Sequence, residues 1–359
     1  RQVLSQQGAV VRGRRAENEQ TVDFLTSSDR WFRPVQARTG PDGSLWIVDM
    51  YRYVIEHPKW IPDETLAELD VFAGQGMGRI YRVSNAGEAV RPQLALSHLE
   101  DEELARAIDT ENGVIRDLVH QMLLWRDVQG AAQELERIAR ESLLPAVRVQ
   151  ALAALDGLHC LSVTQLLHAL GDSHPEVRRQ AVRLAEQFAD HPLVVQRVLE
   201  LGTDEAFQVR LQVANSLGEF QAEFASALLA RLATESSDPY LQSAALSSLT
   251  AGNVRRVAEQ VLTSPESRKS VGAQVVATAA GVGDASAIDR VLSLVLEASG
   301  EWQLWQMESL AQLLDGLDRR AASGVLRLVD ASHELHAADQ TPIAEGDLVD
   351  ARVELQLSG

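Results

Sequence analysis

The side chains best suited to chemistry fall close together: Asp49, Tyr51, Arg52, Glu56 and His57, at or just after the end of an apolar run. A histidine beside a carboxylate and an arginine can serve as a general base with an anion clamp. In that assignment His57, Arg52 and Glu56 are catalytic, and Asp49 and Tyr51 contact a cofactor. The competing assignment is structural: the Glu-His-Pro segment and Arg52 hold a long insertion in place by hydrogen bonds and ion pairs. A single base is visible, so its partners would have to lie elsewhere. Asp42 and Asp49 could help bind calcium, which takes carboxylate and carbonyl oxygens, although Asp42 in a Pro-Asp-Gly turn is explained by the turn. Trp31, Phe32, Trp46 and Trp60 read as core packing, with a sugar-stacking platform as the alternative. Arg33, next to Pro34, either pairs with an acid in the loop or reaches a substrate.

The remaining histidines form no metal or nucleophile constellation. His333 and His336 flank Glu334, but His-Glu-Leu-His is not the HExxH of a zinc protease. His159-Cys160 has the wrong order and spacing for haem attachment, which needs CxxCH. Gly74 to Gly78 (GQGMG) suggests a phosphate cradle, yet it lacks the P-loop lysine and no helix follows it. No metal site is expected.

The elements that must position these residues begin with a GPDG turn, Gly40 to Gly43, between two extended runs. Pro41 presets φ and Gly43 can take positive φ, so the chain reverses there. SLWIVDMY has two largely apolar faces and reads as a strand covered on both sides. GRIYRV, Gly78 to Val83, alternates as a closing strand. Between them Pro62 and the acidic Asp63 and Glu64 open a short helix. Strand, turn, strand, long loop and closing strand follow the grammar of a β-propeller blade. Residues 1–20 add one hairpin, which would pair with a preceding blade. A propeller needs at least four blades, so residues 1–83 supply only its C-terminal part and the chain reads as a fragment.

Three strings carry a resemblance: DRWFRPV (Asp29 to Val35), GPDGSLWIVDMYRYVIEHPKWIP (Gly40 to Pro62) and GRIYRV. They resemble the end of the propeller in the large membrane-bound dehydrogenase proteins of planctomycetes and related bacteria. Those propellers are akin to glucose/sorbosone dehydrogenases that use pyrroloquinoline quinone (PQQ). The resemblance implies oxidation of a sugar, polyol or alcohol, with PQQ and calcium as cofactors. It also implies HEAT-type helical repeats as a spacer or docking arm, and a periplasmic or cell-envelope location. The family's cytochrome c domain, which carries haem c, has no counterpart in this chain.

From Leu94 onward, past a Ser84–Gln93 linker, the period changes from two to 3.6. Ile115, Val147, Val177, Val209 and Leu241 recur at intervals of 30 to 32 residues, each followed by apolar or small residues four and eight positions on. Those positions share one helical face, so each helix buries a stripe. The residue after each anchor is Arg116, Arg148, Arg178 or Arg210, with Gln242 in the last copy. The row resembles the recurring arginine of HEAT repeats, which implies that it ties neighbouring repeats together through acids and carbonyls, with ligand binding as the alternative. Helices between the anchors, such as Val163 to Leu170, make two per repeat. Asn112 to Arg126 resembles the first helical repeat of the same family. The expected fold is mainly α, a solenoid of HEAT-like helix pairs over 94–330 preceded by a partial β-propeller over 1–83. Residues 331–359 form an acidic tail whose last stretch fits a helix or an alternating strand, and which lacks a polar capping repeat.

The net charge of −18, from 33 basic and 51 acidic residues, argues against nucleic acid or an anionic membrane as partner. No run of about 18 apolar residues occurs, so no transmembrane span is expected. One cysteine, Cys160, excludes an intrachain disulfide. Two functions follow: part of a quinone-dependent sugar or alcohol dehydrogenase, or a non-catalytic scaffold that binds proteins along its solenoid surface.

Overall fold

The computed structural model describes residues 2–87, 94–235, 238–296, 302–319, 324–330 and 351–357. Two compact units divide at Gln165 and Leu166.

The first unit opens with an antiparallel hairpin, β1 (Gln2–Gln7) and β2 (Val10–Arg15). Gly8, at φ 58, is the first central residue of its two-residue turn, the position that needs positive φ. The hairpin pairs with no other strand among the described residues. A three-stranded antiparallel meander follows, β3 (Pro34–Thr39), β4 (Leu45–Asp49) and β5 (Arg79–Val83), with β4 central. The GPDG turn joins β3 to β4: the Gly43 N–H bonds the Gly40 carbonyl at 3.0 Å, and the Gly40 N–H bonds the Ser44 carbonyl at 2.8 Å. Gly43 sits at φ 80, as a three-residue hairpin loop closed by a left-handed glycine requires.

The described strands form small separate sheets and no closed propeller. Nor is β4 covered on both sides. Ile47 and Asp49 are buried, whereas Trp46 and Val48 on the other face are half exposed. The expected helix after Pro62 is α1 (Asp63–Leu66), a single turn.

Helical structure in this unit comprises α2 (Asp101–Arg106), α3 (Gly113–Trp125), α4 (Ala132–Glu141) and α5 (Pro145–Gly157), with α6 (Val163–Leu170) spanning the division. A capping box, Glu100 with Glu103, starts α2. The second unit continues with α7 (Pro175–Leu184), α8 (Pro192–Glu200), α9 (Phe207–Ser216), α10 (Ala222–Glu235), α11 (Pro239–Ser247), α12 (Val254–Thr263), α13 (Pro265–Val282), α14 (Ala285–Leu296) and α15 (Leu304–Arg319). Proline occupies the first turn of α5, α7, α8, α11 and α13, where its missing N–H costs nothing.

The repeat pattern is borne out residue by residue. All five anchors and their partners four and eight positions on are buried, from Ile115, Val119 and Leu123 to Leu241, Ala245 and Leu249. In each of the last three copies the α-helix stops before the eighth position. Ala185 and Leu217 lie in the 3₁₀ turns that follow α7 and α9, and Leu249 lies just past α11. Within the second unit α7 packs on α9 and α9 on α11, while α10 packs on α12 and α12 on α14. Alternate helices thus stack on alternate helices, as helix-pair repeats must to bury their stripes. Full burial of each Leu or Val is worth about 1.5–3 kcal/mol.

After α15 the chain turns to strand. β6 (Gly324–Asp330), at the end of the stretch expected to be solenoid, pairs antiparallel with β7 (Ala351–Leu357). Of the two forms open to the tail's last stretch, the strand is the one adopted. Residues 88–93 of the expected linker and 331–350 of the acidic tail lie outside the described residues.

Candidate functional site

The cluster named from the sequence is organised by Asp49, the last residue of β4, which is 1% exposed. Strand register sets it opposite Pro34 of β3 and Arg79 of β5. Its Oδ1 accepts the N–H of Arg33 and that of Tyr51, both at 2.8 Å. One carboxylate oxygen therefore ties the start of β3 to the exit of β4. Its Oδ2 is buried and accepts nothing among the described residues.

Tyr51 leaves the strand at φ 51, a strained conformation for a residue with a side chain. Its carbonyl lies so close to Gly74 that a Cβ there would collide with it, and Gly74 is itself at φ 88. The GQGMG loop thus has a steric reason for glycine. The Tyr51 hydroxyl is hydrogen-bonded to Asp29, and this bond chiefly, with burial and the Asp29 charge behind it, pushes the phenol above its usual pKa against the pull of Arg79. The Arg79 guanidinium stacks on the Tyr51 ring at 3.5 Å, within cation–π range. Trp31 lies 5.7 Å from Tyr51 and 5.9 Å from Tyr53, centroid to centroid. The result is an aromatic cluster with a cation on one ring and a carboxylate at its hydroxyl.

Arg52, Glu56 and His57 do not join this cluster and make no hydrogen bond with one another. Arg52 Nη1 donates to the Phe72 carbonyl at 2.9 Å, pinning the far side of the insertion. Glu56 Oε2 accepts its neighbour's N–H, from Ile55. His57 Nδ1 accepts the Lys59 N–H at 3.2 Å, capping the 3₁₀ turn Pro58–Trp60. All three contacts are to main-chain groups of the insertion itself. Arg33 donates to the carbonyls of Arg30, Phe32 and Tyr53, and no acid pairs with it among the described residues. Trp60 is 76% exposed and packs in no core, contrary to expectation, with the Lys59 ammonium 5.5 Å from its ring.

Asp42 is committed to its turn. Its Oδ1 accepts the Ser44 N–H and the Trp46 indole N–H, both at 3.1 Å, and Arg82 Nε lies 3.0 Å from Oδ2. Burial works to raise this carboxyl's pKa, but the Ser44 and Trp46 bonds and the Arg82 charge outweigh it and hold it low. Calcium needs six to eight oxygens. Asp49 supplies one open oxygen, Asp42 is occupied, and no three His, Cys, Asp or Glu side chains converge on a metal position among the described residues. These residues do not by themselves fit a calcium–quinone site.

Asn112 joins the turn to the first long helix. Its Oδ1 accepts the Val114 N–H at 3.0 Å and caps α3, while its Nδ2 donates to the carbonyls of Gly40 and Pro41 at 3.0 and 3.2 Å.

The arginine row has a single geometry. Arg116, Arg148, Arg178 and Arg210 each send Nη1 back to a carbonyl six residues earlier, on Thr110, Ser142, Asp172 and Asp204. Three of them add the carbonyl five residues earlier. Each helix is thereby fastened to the loop that leads into it. Arg178 does more: Nε and Nη2 grip Asp204 at 2.7 and 2.8 Å, a planar two-point bridge into the next repeat. Asp204 also caps α9 through the Ala206 N–H at 2.8 Å.

Sequence reasoning missed Asp29, Arg79 and Asn112. Arg79 was accessible in principle, since antiparallel pairing of the two predicted strands places it opposite Asp49. Asn112 precedes an apolar helical run, the signature of a cap, but its bonds to a turn about 70 residues earlier leave no local trace.

Residues 1–87 match the model of a domain of unknown function, DUF7133, and residues 163–250 match HEAT repeats. The first match ends just after β5. No curated protein matches. Among solved structures, two engineered proteins are similar at 16% identity, with TM-scores of 0.36 and 0.31; each covers 61% of this chain, and the matches span 68% and 96% of theirs. The complex of CpcE and CpcF of phycocyanin lyase from Nostoc sp. PCC7120 is similar at 18% identity and TM-score 0.33, over 66% of this chain and 99% of that one. The chain's own helices and the family match over 163–250 make it mainly helical with HEAT repeats.

Proposed function

We propose that this protein is a HEAT-repeat scaffold that binds other proteins along its helical part, with the sheet module held on the repeats as a platform. The observation that carries this reading is the arginine row. It fastens α3, α5, α7 and α9 each to its own loop and, at Arg178, ties one repeat to the next, and locally preorganised repeats bind a partner at lower entropic cost. Large apolar side chains stand exposed on the helices of the second unit, Phe224 on α10 and Tyr240 on α11 among them. The test is a purified partner titrated by calorimetry into the chain and into Phe224→Glu and Tyr240→Glu. A one-to-one complex weakened at least tenfold by either substitution supports the reading. A partner indifferent to every substitution on the exposed helical residues refutes it.

A second reading is favoured by the open Oδ2 of buried Asp49. In it the meander is one blade of a quinone-dependent dehydrogenase propeller and forms one wall of a pocket completed by other blades. PQQ with calcium would then quench Trp31 fluorescence. Absence of both quenching and sugar-dependent dye reduction by a protein carrying a complete propeller would sink it.

A further inference from the structure

We infer that the second unit carries a receptor for a single carboxylate, Asp or Glu, presented by an acidic segment of a partner protein. The inference rests on the scaffold reading and names the partner's chemistry.

A cleft of about 320 Å³ opens between the 3₁₀ turn Leu201–Thr203, α9, α10 and α11. Its polar lining is Thr203, Arg210, Arg231 and Glu235, and Leu232 and Leu241 give it an apolar floor. Arg210 Nη1 is held by the carbonyls of Asp204 and Glu205, and the Phe207 ring lies 5.6 Å from its guanidinium carbon. That grip fixes the plane of the guanidinium. Its Nε and Nη2 donate to nothing among the described residues, and no carboxylate pairs with it there. Arg231 reaches Glu235 one turn on at only 3.7 Å, a loose exposed pair that a ligand can displace at little cost.

What an arginine in this position takes is shown one repeat earlier. Arg178 occupies the same place, holds the same pair of loop carbonyls through Nη1, and uses Nε and Nη2 to grip the Asp204 carboxylate. The acid in the corresponding loop after Arg210 is Asp238, and its Oδ1 accepts the N–H groups of Tyr240 and Leu241. The fork that is filled within the chain at Arg178 is open to the cleft at Arg210. A planar carboxylate fits that fork through two parallel bonds. Two arginines against one glutamate line the cleft, and the nearby Asp204 carboxylate is already met by Arg178, so the cleft is locally cationic, whereas the chain as a whole, at −18, repels extended polyanions. An isolated acid beside apolar residues suits both the fork and the leucine floor.

The probe is the peptide acetyl-Leu-Glu-Leu-amide, titrated into the whole chain with labelled leucine methyl groups and followed by NMR. The expected result is saturable shifts of the Leu232 and Leu241 methyls. Acetyl-Leu-Gln-Leu-amide should bind at least tenfold more weakly. Arg210→Lys, which keeps the charge and can still reach the loop carbonyls but lacks the fork, should weaken the Glu peptide about fivefold or more. Arg231→Met should weaken it less. Equal binding of the Glu and Gln peptides, shifts confined to other leucines, or inorganic phosphate binding more tightly than the peptide would each overturn the inference. Peptide binding without any protein complex would keep the receptor and remove the scaffold. A protein complex unaffected by Arg210→Lys, with no peptide binding, would do the reverse.

Discussion

Replacing Asp204 by Asn tests whether the Arg178 bridge holds neighbouring repeats together. The two side chains are 9% and 6% exposed, so the pair is largely withdrawn from water. Removing one partner of such a pair strands the other's charge and costs about 3–5 kcal/mol. Asparagine keeps the shape, and its oxygen can still cap Ala206 and accept one bond from Arg178, so the loss should fall to about 2–3 kcal/mol. At about 1.4 kcal/mol per tenfold, backbone amides in α7 and α9 should exchange with solvent about 30 to 150 times faster. Hydrogen-exchange mass spectrometry reads this directly, with peptides from α12 and α13 as internal reference. The double variant Arg178→Met, Asp204→Asn strands no charge and should recover at least half of the loss. An acceleration below threefold, or one equal across all helices, would show that the bridge does not carry inter-repeat stability.

Two further outcomes are expected. Burial raises the pKa of Asp204, but the Arg178 bridge, the Ala206 N–H and the charges of Arg178 and Arg210 overcome this and leave it below the ordinary 3.8. Its contribution is thus complete at pH above 3.8 and drains away as pH falls through the lower folded value, so α7 and α9 should lose exchange protection there, and Asp204→Asn should flatten that dependence. Asn112→Asp should keep the α3 cap and lose both bonds to the GPDG turn, whereas Asn112→Ala should lose both functions, with the cap worth about 1 kcal/mol. Exchange in α3 would then be normal in the first variant and raised in the second; equal behaviour of the two would refute the division of roles.

The helical repeats were readable because their signal is local and repeated. A stripe four and eight residues past Val177 must be buried if Val177 is, and the arginine one residue on from each of the first four anchors sits at the helix start by counting. The GPDG turn was legible for the same reason, since Pro41 and Gly43 restrict their own backbone. Burial of the meander was not, because cover on the Trp46 face depends on what lies against it rather than on the strand's composition. The contact that His57 makes was not legible from residue type. An imidazole two residues before Lys59 and next to Pro58 finds a nearby backbone N–H first. Asp49 was singled out for its chemistry, but its two N–H partners show that it also fixes the path of the chain.

Asn112 gives the first unit a mechanical property. One amide group both starts α3 and clasps the GPDG turn, so tension applied to the β3–β4 hairpin is delivered to the first turn of that helix. A load on the sheet would unwind α3 from its N-terminal end, and the meander and the first repeat would yield as a pair.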